Sequence, residues 1–85
     1  MNREVQRMLS HSPATRAVLA ILRNVHAAGC GGLSGPGLEW ILRQRHAGST
    51  VRASVRRLAL AGLITWTGWR VRLRGGGAGK VWKAI

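Results

Sequence analysis

The apolar residues of this chain change their spacing once, at Gly62, and that change restricts it to helices first and a β-hairpin last. Before Gly62 they recur at three- and four-residue intervals, the mark of amphipathic helices. After it Trp69, Val71 and Leu73 alternate with Arg70, Arg72 and Arg74, the mark of a half-buried strand with an all-Arg outer face. A chain of 85 residues forms one domain. At that size about 60–65% of the unfolded surface is buried, so the core has to be compact. With no Phe and no Tyr, that core is expected from Leu, Val, Ile, Ala and the four Trp. Trp40 and Trp69 are expected inside it. Trp66 and Trp82 belong to the hairpin, where solvent, a base or another subunit can meet them.

Ser, Gly and Pro mark the boundaries within the helical part. Residues 2–10 read as a short helix with Val5, Met8 and Leu9 on one side and Asn2 as its N-cap. Ser12 followed by Pro13 is a restart signal, a hydroxyl cap with proline at the first helical position. The next helix is expected over 13–28, with Ala17, Val18, Ile21, Leu22 and Val25 as its stripe and Gly29, Gly31 and Gly32 at its end. Leu33 reads as a very short strand, and Ser34-Gly35-Pro36 repeats the restart. A third helix follows over 36–45, with Leu38, Ile41 and Leu42 turned inward. His46-Ala47-Gly48 is the expected turn, with Gly48 suited to a positive φ. Ser49 is expected to cap a last helix over 50–61, which Gly62 ends. Beyond the strand, residues 75–79 form a Gly-rich loop and residues 80–85 a return strand. The chain thus divides into an amino-terminal helical extension, 1–12, and an α+β domain, 13–85.

The charge is strongly one-sided. Twelve Arg and two Lys oppose only Glu4 and Glu39, giving a formal net charge of +12 and a pI near 12.0. Such a surface repels itself and calls for a polyanionic partner: nucleic acid, an anionic membrane face or an acidic protein. Arg offers a planar fork that matches phosphate and the guanine edge, although a GC-rich genome also favours Arg over Lys. The most apolar stretch, 17–22, is far short of a membrane span and is bracketed by Arg16 and Arg23, so no membrane partner is expected. Residues 1–10 are polar and charged, unlike a secretory signal. A lone Cys30 allows no internal disulfide. A bacterial cytoplasm or nucleoid is the expected location.

Signals that suggest catalysis or cofactors are weak. The loop before Lys80 fails the phosphate-loop pattern, because Arg74 stands where its first Gly belongs and Val81 follows the Lys. His26 and Cys30, with His46 or His11, lack the repeated close spacing of zinc ligands, and Cys30 is expected as a small buried residue. Glu4 and Glu39 fall on different helices, so no acid–base pair is expected. No enzyme activity, metal or cofactor is expected.

The last helix carries the functional signal. Val51, Val55 and Leu58 share one face, with Ala59 and Ala61 at its margins. The opposite face bears Ser49, Arg52, Ala53, Arg56 and Arg57, with Thr50 beside the cap. Small residues permit close approach to a major groove, and the Arg side chains reach base edges or phosphates. An ordinary solvated Arg face is the plainer reading of this helix alone. The hairpin weighs against it, because Arg70, Arg72, Arg74 and Lys80, with Lys83 beyond, form a second basic element. Leu60 is discordant, lying in the middle of the charged side.

The order helix, short strand, helix, turn, helix and basic hairpin resembles the winged helix-turn-helix family over residues 13–85. The stretch 48–64, with Val51, Val55, Leu58, Gly62, Leu63 and Ile64, looks like the recognition helix and first wing strand of many bacterial and phage regulators. Length and basicity are also similar to small regulators of phages and mobile elements. The resemblance implies a three-helix core with a carboxy-terminal wing, and a sequence-specific double-stranded DNA-binding regulator acting as a homodimer, with Val5, Met8 and Leu9 as the dimer contact. Competing expectations are an architectural or recombination-accessory protein with little sequence preference, and an adaptor that docks an acidic protein. RNA binding is a fourth, without any RNA motif.

Overall fold

The computed structural model describes residues 12–73 and 78–85. The expected helix over 2–10, the dimer contact through Val5, Met8 and Leu9, and Arg74 lie outside these residues. Among the described residues, α1 (Pro13–Ala27), β1 (Leu33–Ser34), α2 (Gly35–Leu42), α3 (Gly48–Leu60), β2 (Ile64–Arg72) and β3 (Ala78–Ala84) follow in that order. The fold is α+β: three helices against one antiparallel sheet of order β1-β3-β2. β1 joins the hairpin by pairing Leu33 with Trp82 and Ser34 with Val81.

Both serine–proline restarts form. The Ser12 hydroxyl accepts from the Thr15 N–H at 3.2 Å, and the Ser34 hydroxyl accepts from the Gly37 N–H at 3.0 Å. Each satisfies one of the donors a helix start leaves open. At the other end of α3, Gly62 takes a φ of 76° and donates to Ala59, while Leu63 donates to the Leu58 carbonyl at 3.0 Å. This pairing closes the last carbonyls, and only a residue at ease with positive φ makes it without strain.

The start of α3 differs from expectation. The helix begins at Gly48, which has no positive φ, and its N-cap is Ala47 rather than Ser49. Ala47 makes no side-chain capping bond. Likewise α2 ends at Leu42, three residues before the expected 45.

The core is aliphatic. Val18, Leu19 and Leu22 of α1 meet Leu38 and Leu42 of α2, Val51, Val55 and Leu58 of α3, and Ile64 and Ala84 of the sheet. No Trp is among these fully buried side chains, and Trp82 packs against them only in part. Trp40 is 66% exposed and Trp69 75% exposed, which corrects their expected place inside. On α2, Trp40 lies two residues from both Leu38 and Leu42, so the helix turns it about 200° away from them. It stacks instead under the Arg43 guanidinium at 3.7 Å. Ile41, expected inward, is exposed at the edge of the same helix. Cys30, expected buried, is exposed just past the end of α1.

One polar contact lies within the core. The buried Thr15 hydroxyl donates to Ser54 Oγ at 3.2 Å, and Ser54 passes a hydrogen bond on to the Thr50 carbonyl at 2.9 Å. The chain has a direction, so its two ends differ. Ser54→Ala leaves the Thr15 hydroxyl buried without a partner and is expected to cost about 1–3 kcal/mol. Thr15→Val keeps the shape and leaves Ser54 bonded to Thr50, so it should cost about 1 kcal/mol or less. Urea melts of the two variants check this, and equal losses would contradict it.

Candidate nucleic-acid interface

α3 is held by its inner face against α1, α2 and the root of β2, and among the described residues nothing covers its outer face. Val51, Ser54, Val55 and Leu58 are buried, while Ser49, Thr50, Arg52, Ala53, Arg56 and Arg57 are all exposed. The small Ser49 and Ala53 form the crest of that outer face, since four residues make little more than one turn. Arg52 and Arg56 stand on one side of the crest and Arg57 on the other. Leu60 ends the crest, 83% exposed.

Two grooves flank this crest. The first is lined by Ser12, Ser49, Thr50, Ala53, Ser54 and Arg57. It brings the amino-terminal end of α1, with the positive end of its dipole, beside the Arg57 flank of α3. The Ser12-Pro13 restart located that helix end in the sequence, but its neighbour across the groove is a tertiary fact.

The second groove lies between α3 and the hairpin, and Pro36, Glu39, Arg52, Val55, Leu73 and Trp82 help to line it. The hairpin is anchored there by close contact. A side-chain carbon at Gly79 would stand 2.8 Å from Pro36 Cδ, so β3 passes against the start of α2. Glu39 bridges the groove floor, its Oε1 accepting from Arg52 Nη1 at 2.6 Å. Residues 39 and 52 are thirteen apart on different helices, and no sequence pattern joined them.

The hairpin departs from a regular ladder. Trp66 pairs with Trp82 and Arg70 with Lys80, so β2 runs four steps where β3 runs two. The bulge is held by side chains in place of the ladder. Thr67 Oγ1 accepts from the Trp69 N–H and donates to the Val81 carbonyl, both at 3.1 Å, and Trp66 Nε1 donates to the Trp69 carbonyl at 3.0 Å.

Trp69 at the end of the bulge and Arg70, Val71 and Arg72 beyond it are all exposed. This corrects the expected half-buried strand, since among the described residues nothing buries either side of it. Lys80 is exposed opposite Arg70. Arg70 Cζ and Lys80 Nζ lie 5.1 and 5.2 Å from the centre of the Trp66 ring, so this indole carries two cations. The alternation that placed Arg70 and Arg72 on the surface was legible, but Trp66 as their platform was not.

Chemically the surface suits a polyanion. It offers Arg56, Arg57, Arg70, Arg72 and Lys80 to solvent, and Glu39, the one acidic side chain among the described residues, is already engaged. Among the described residues, no three His, Cys, Asp or Glu gather as a metal site, and no helix is long and apolar enough to cross a membrane. His26 and Cys30 line a separate depression with Thr67, Trp69 and Lys83. No known protein family, curated protein or solved structure matches the chain.

Proposed function

We propose that the chain is a winged helix-turn-helix protein that binds double-stranded DNA in a sequence-dependent way and serves as a transcriptional regulator, without catalysis. In this reading α3 is the recognition helix and the β2–β3 hairpin is the wing. The observation that carries it is the crest of α3, exposed among the described residues, with small residues flanked by Arg and a basic hairpin one groove away. A crest of this form lets the helix backbone approach a major groove while Arg side chains reach base edges. The hairpin cations then meet phosphates or the minor groove to one side, and the start of α1 offers a further phosphate contact.

The two elements separate in their mutants. Arg56→Ala is expected to lower preference for a selected site over scrambled duplex by about 1–3 kcal/mol. Arg70→Ala and Arg72→Ala are expected to weaken every duplex alike and to flatten the salt response by about one unit of slope each. Sites enriched from random duplex DNA supply the probe. No enrichment above scrambled sequence would leave an architectural binder with little sequence preference. No duplex binding at all would turn the reading to an acidic protein partner.

A further inference from the structure

Glu39 is the only Asp or Glu among the described residues, and it is paired with Arg52 on the charged side of α3. Net charge gives no reason for that position. On a face that meets phosphates, a carboxylate repels the ligand and cancels one of the cations. Its surroundings nevertheless accommodate it closely.

Three features converge on it. The Oε1 atom accepts from Arg52 Nη1 at 2.6 Å, with the Glu39 side chain 23% exposed and that of Arg52 65% exposed. A side-chain carbon at Gly48 would stand 2.5 Å from the same Oε1, so glycine at the first position of α3 leaves the space the carboxylate fills. Ala47, the N-cap of that helix, also provides no side-chain capping bond, and a carboxylate beside the first helical residue, Gly48, supplies negative charge at the positive end. Glu39 is therefore fixed by α2, by Gly48 and by Arg52 together.

The effect falls on Arg52. An unpaired surface Arg samples many rotamers and meets any nearby phosphate as readily as a base. With one nitrogen tied to Glu39, the guanidinium points in one direction and keeps its remaining N–H donors for one partner. Ordering that side chain in advance lowers the entropy lost when it binds, but only for a ligand that matches the direction. Pairing also withdraws Arg52 from general phosphate contact, which penalises unmatched DNA.

We infer that Glu39 is a specificity-determining positioning residue: it aims Arg52 at one base edge beside the wing and weakens binding to DNA at large. This rests on the DNA-binding reading above. The test uses the intact chain, a duplex enriched from a random pool by the wild type, and a scrambled duplex of the same composition. E39Q keeps the size and loses the charge. It is expected to bind the scrambled duplex more tightly, with a salt slope steeper by about one unit, as Arg52 becomes free to meet a phosphate. The ratio of affinities for the two duplexes should fall about tenfold. R52A should lose the same ratio, and the double variant should lose no more than either alone.

E39D keeps the charge but draws the carboxylate back. It should lower the ratio with scrambled binding unchanged, and it carries the test if E39Q melts far below the wild type. An unchanged ratio in E39Q and E39D, with the wild type still preferring its duplex, overturns the inference and leaves the DNA-binding reading intact. A wild type that binds no duplex overturns both.

Discussion

Raising salt from about 50 to 200 mM is expected to weaken binding to duplex DNA by about 10³–10⁴-fold. The estimate follows from the two basic elements and the helix end beside them. Arg56 and Arg57 on α3 and Arg70, Arg72 and Lys80 on the hairpin are all exposed, and the start of α1 opens onto the same groove as Arg57. Together they can neutralise about 5–8 phosphates, and each contact contributes about −0.9 to the slope of log K against log salt. A slope of about −5 to −7 is therefore expected for the whole protein. The slope depends on the number of cations engaged rather than on sequence, so scrambled DNA should show most of it. A flat response would remove DNA as the partner, whatever the affinity at one salt concentration.

A second large effect is expected at the glycine that leads into β1. Gly32 has a φ of 131°, and a side-chain carbon there would press into the Trp82 carbonyl and stand 3.2 Å from Val81 Cγ1. Gly32 is the residue before β1, which closes the sheet by pairing with Trp82 and Val81. Gly32→Ala therefore meets both an unfavourable φ and a backbone that cannot yield without breaking the β1–β3 pairing. The two penalties sum to about 2–5 kcal/mol. A chain of this length has about 4–13 kcal/mol in all, and Tm should fall by about 10–30 °C. Gly31 is the control. It has no positive φ and nothing within 4 Å of an added carbon, so Gly31→Ala should change stability by less than about 0.5 kcal/mol. Similar melting of the two variants would contradict the expectation.

The features legible in the sequence are the ones decided locally. Ser12-Pro13 and Ser34-Gly35-Pro36 placed two helix starts because a hydroxyl cap and a fixed φ act within a few residues. Gly62 marked a helix end for the same reason. The outer face of α3 was legible because Val51, Val55 and Leu58 commit the opposite side to the core. Trp40 was misplaced when scarcity of aromatic residues outweighed the helical period, which already set it opposite Leu38 and Leu42. Leu, Val and Ile fill this core unaided. The cap of α3 was not legible because the helix starts at Gly48 behind Ala47, which has no capping side chain to mark the position, and Ser49 falls inside the first turn. The bulge was missed because two extra residues leave the alternation of side chains unbroken, while Thr67 and Trp66 quietly replace the ladder.

Among the described residues, the sheet order β1-β3-β2 leaves β2 with one long side unpaired. A nine-residue edge bearing Trp66, Trp69 and Val71 would ordinarily recruit the same edge of a second molecule and begin an aggregate. Here the bulge bends the template, and Arg70 and Arg72 set like charges against each other whenever two copies approach. The cations proposed to seek DNA thus also act as a colloidal guard. Their neutralisation, by substitution or by excess polyanion, leaves that edge exposed to self-assembly, so loss of solubility should accompany loss of charge on this strand.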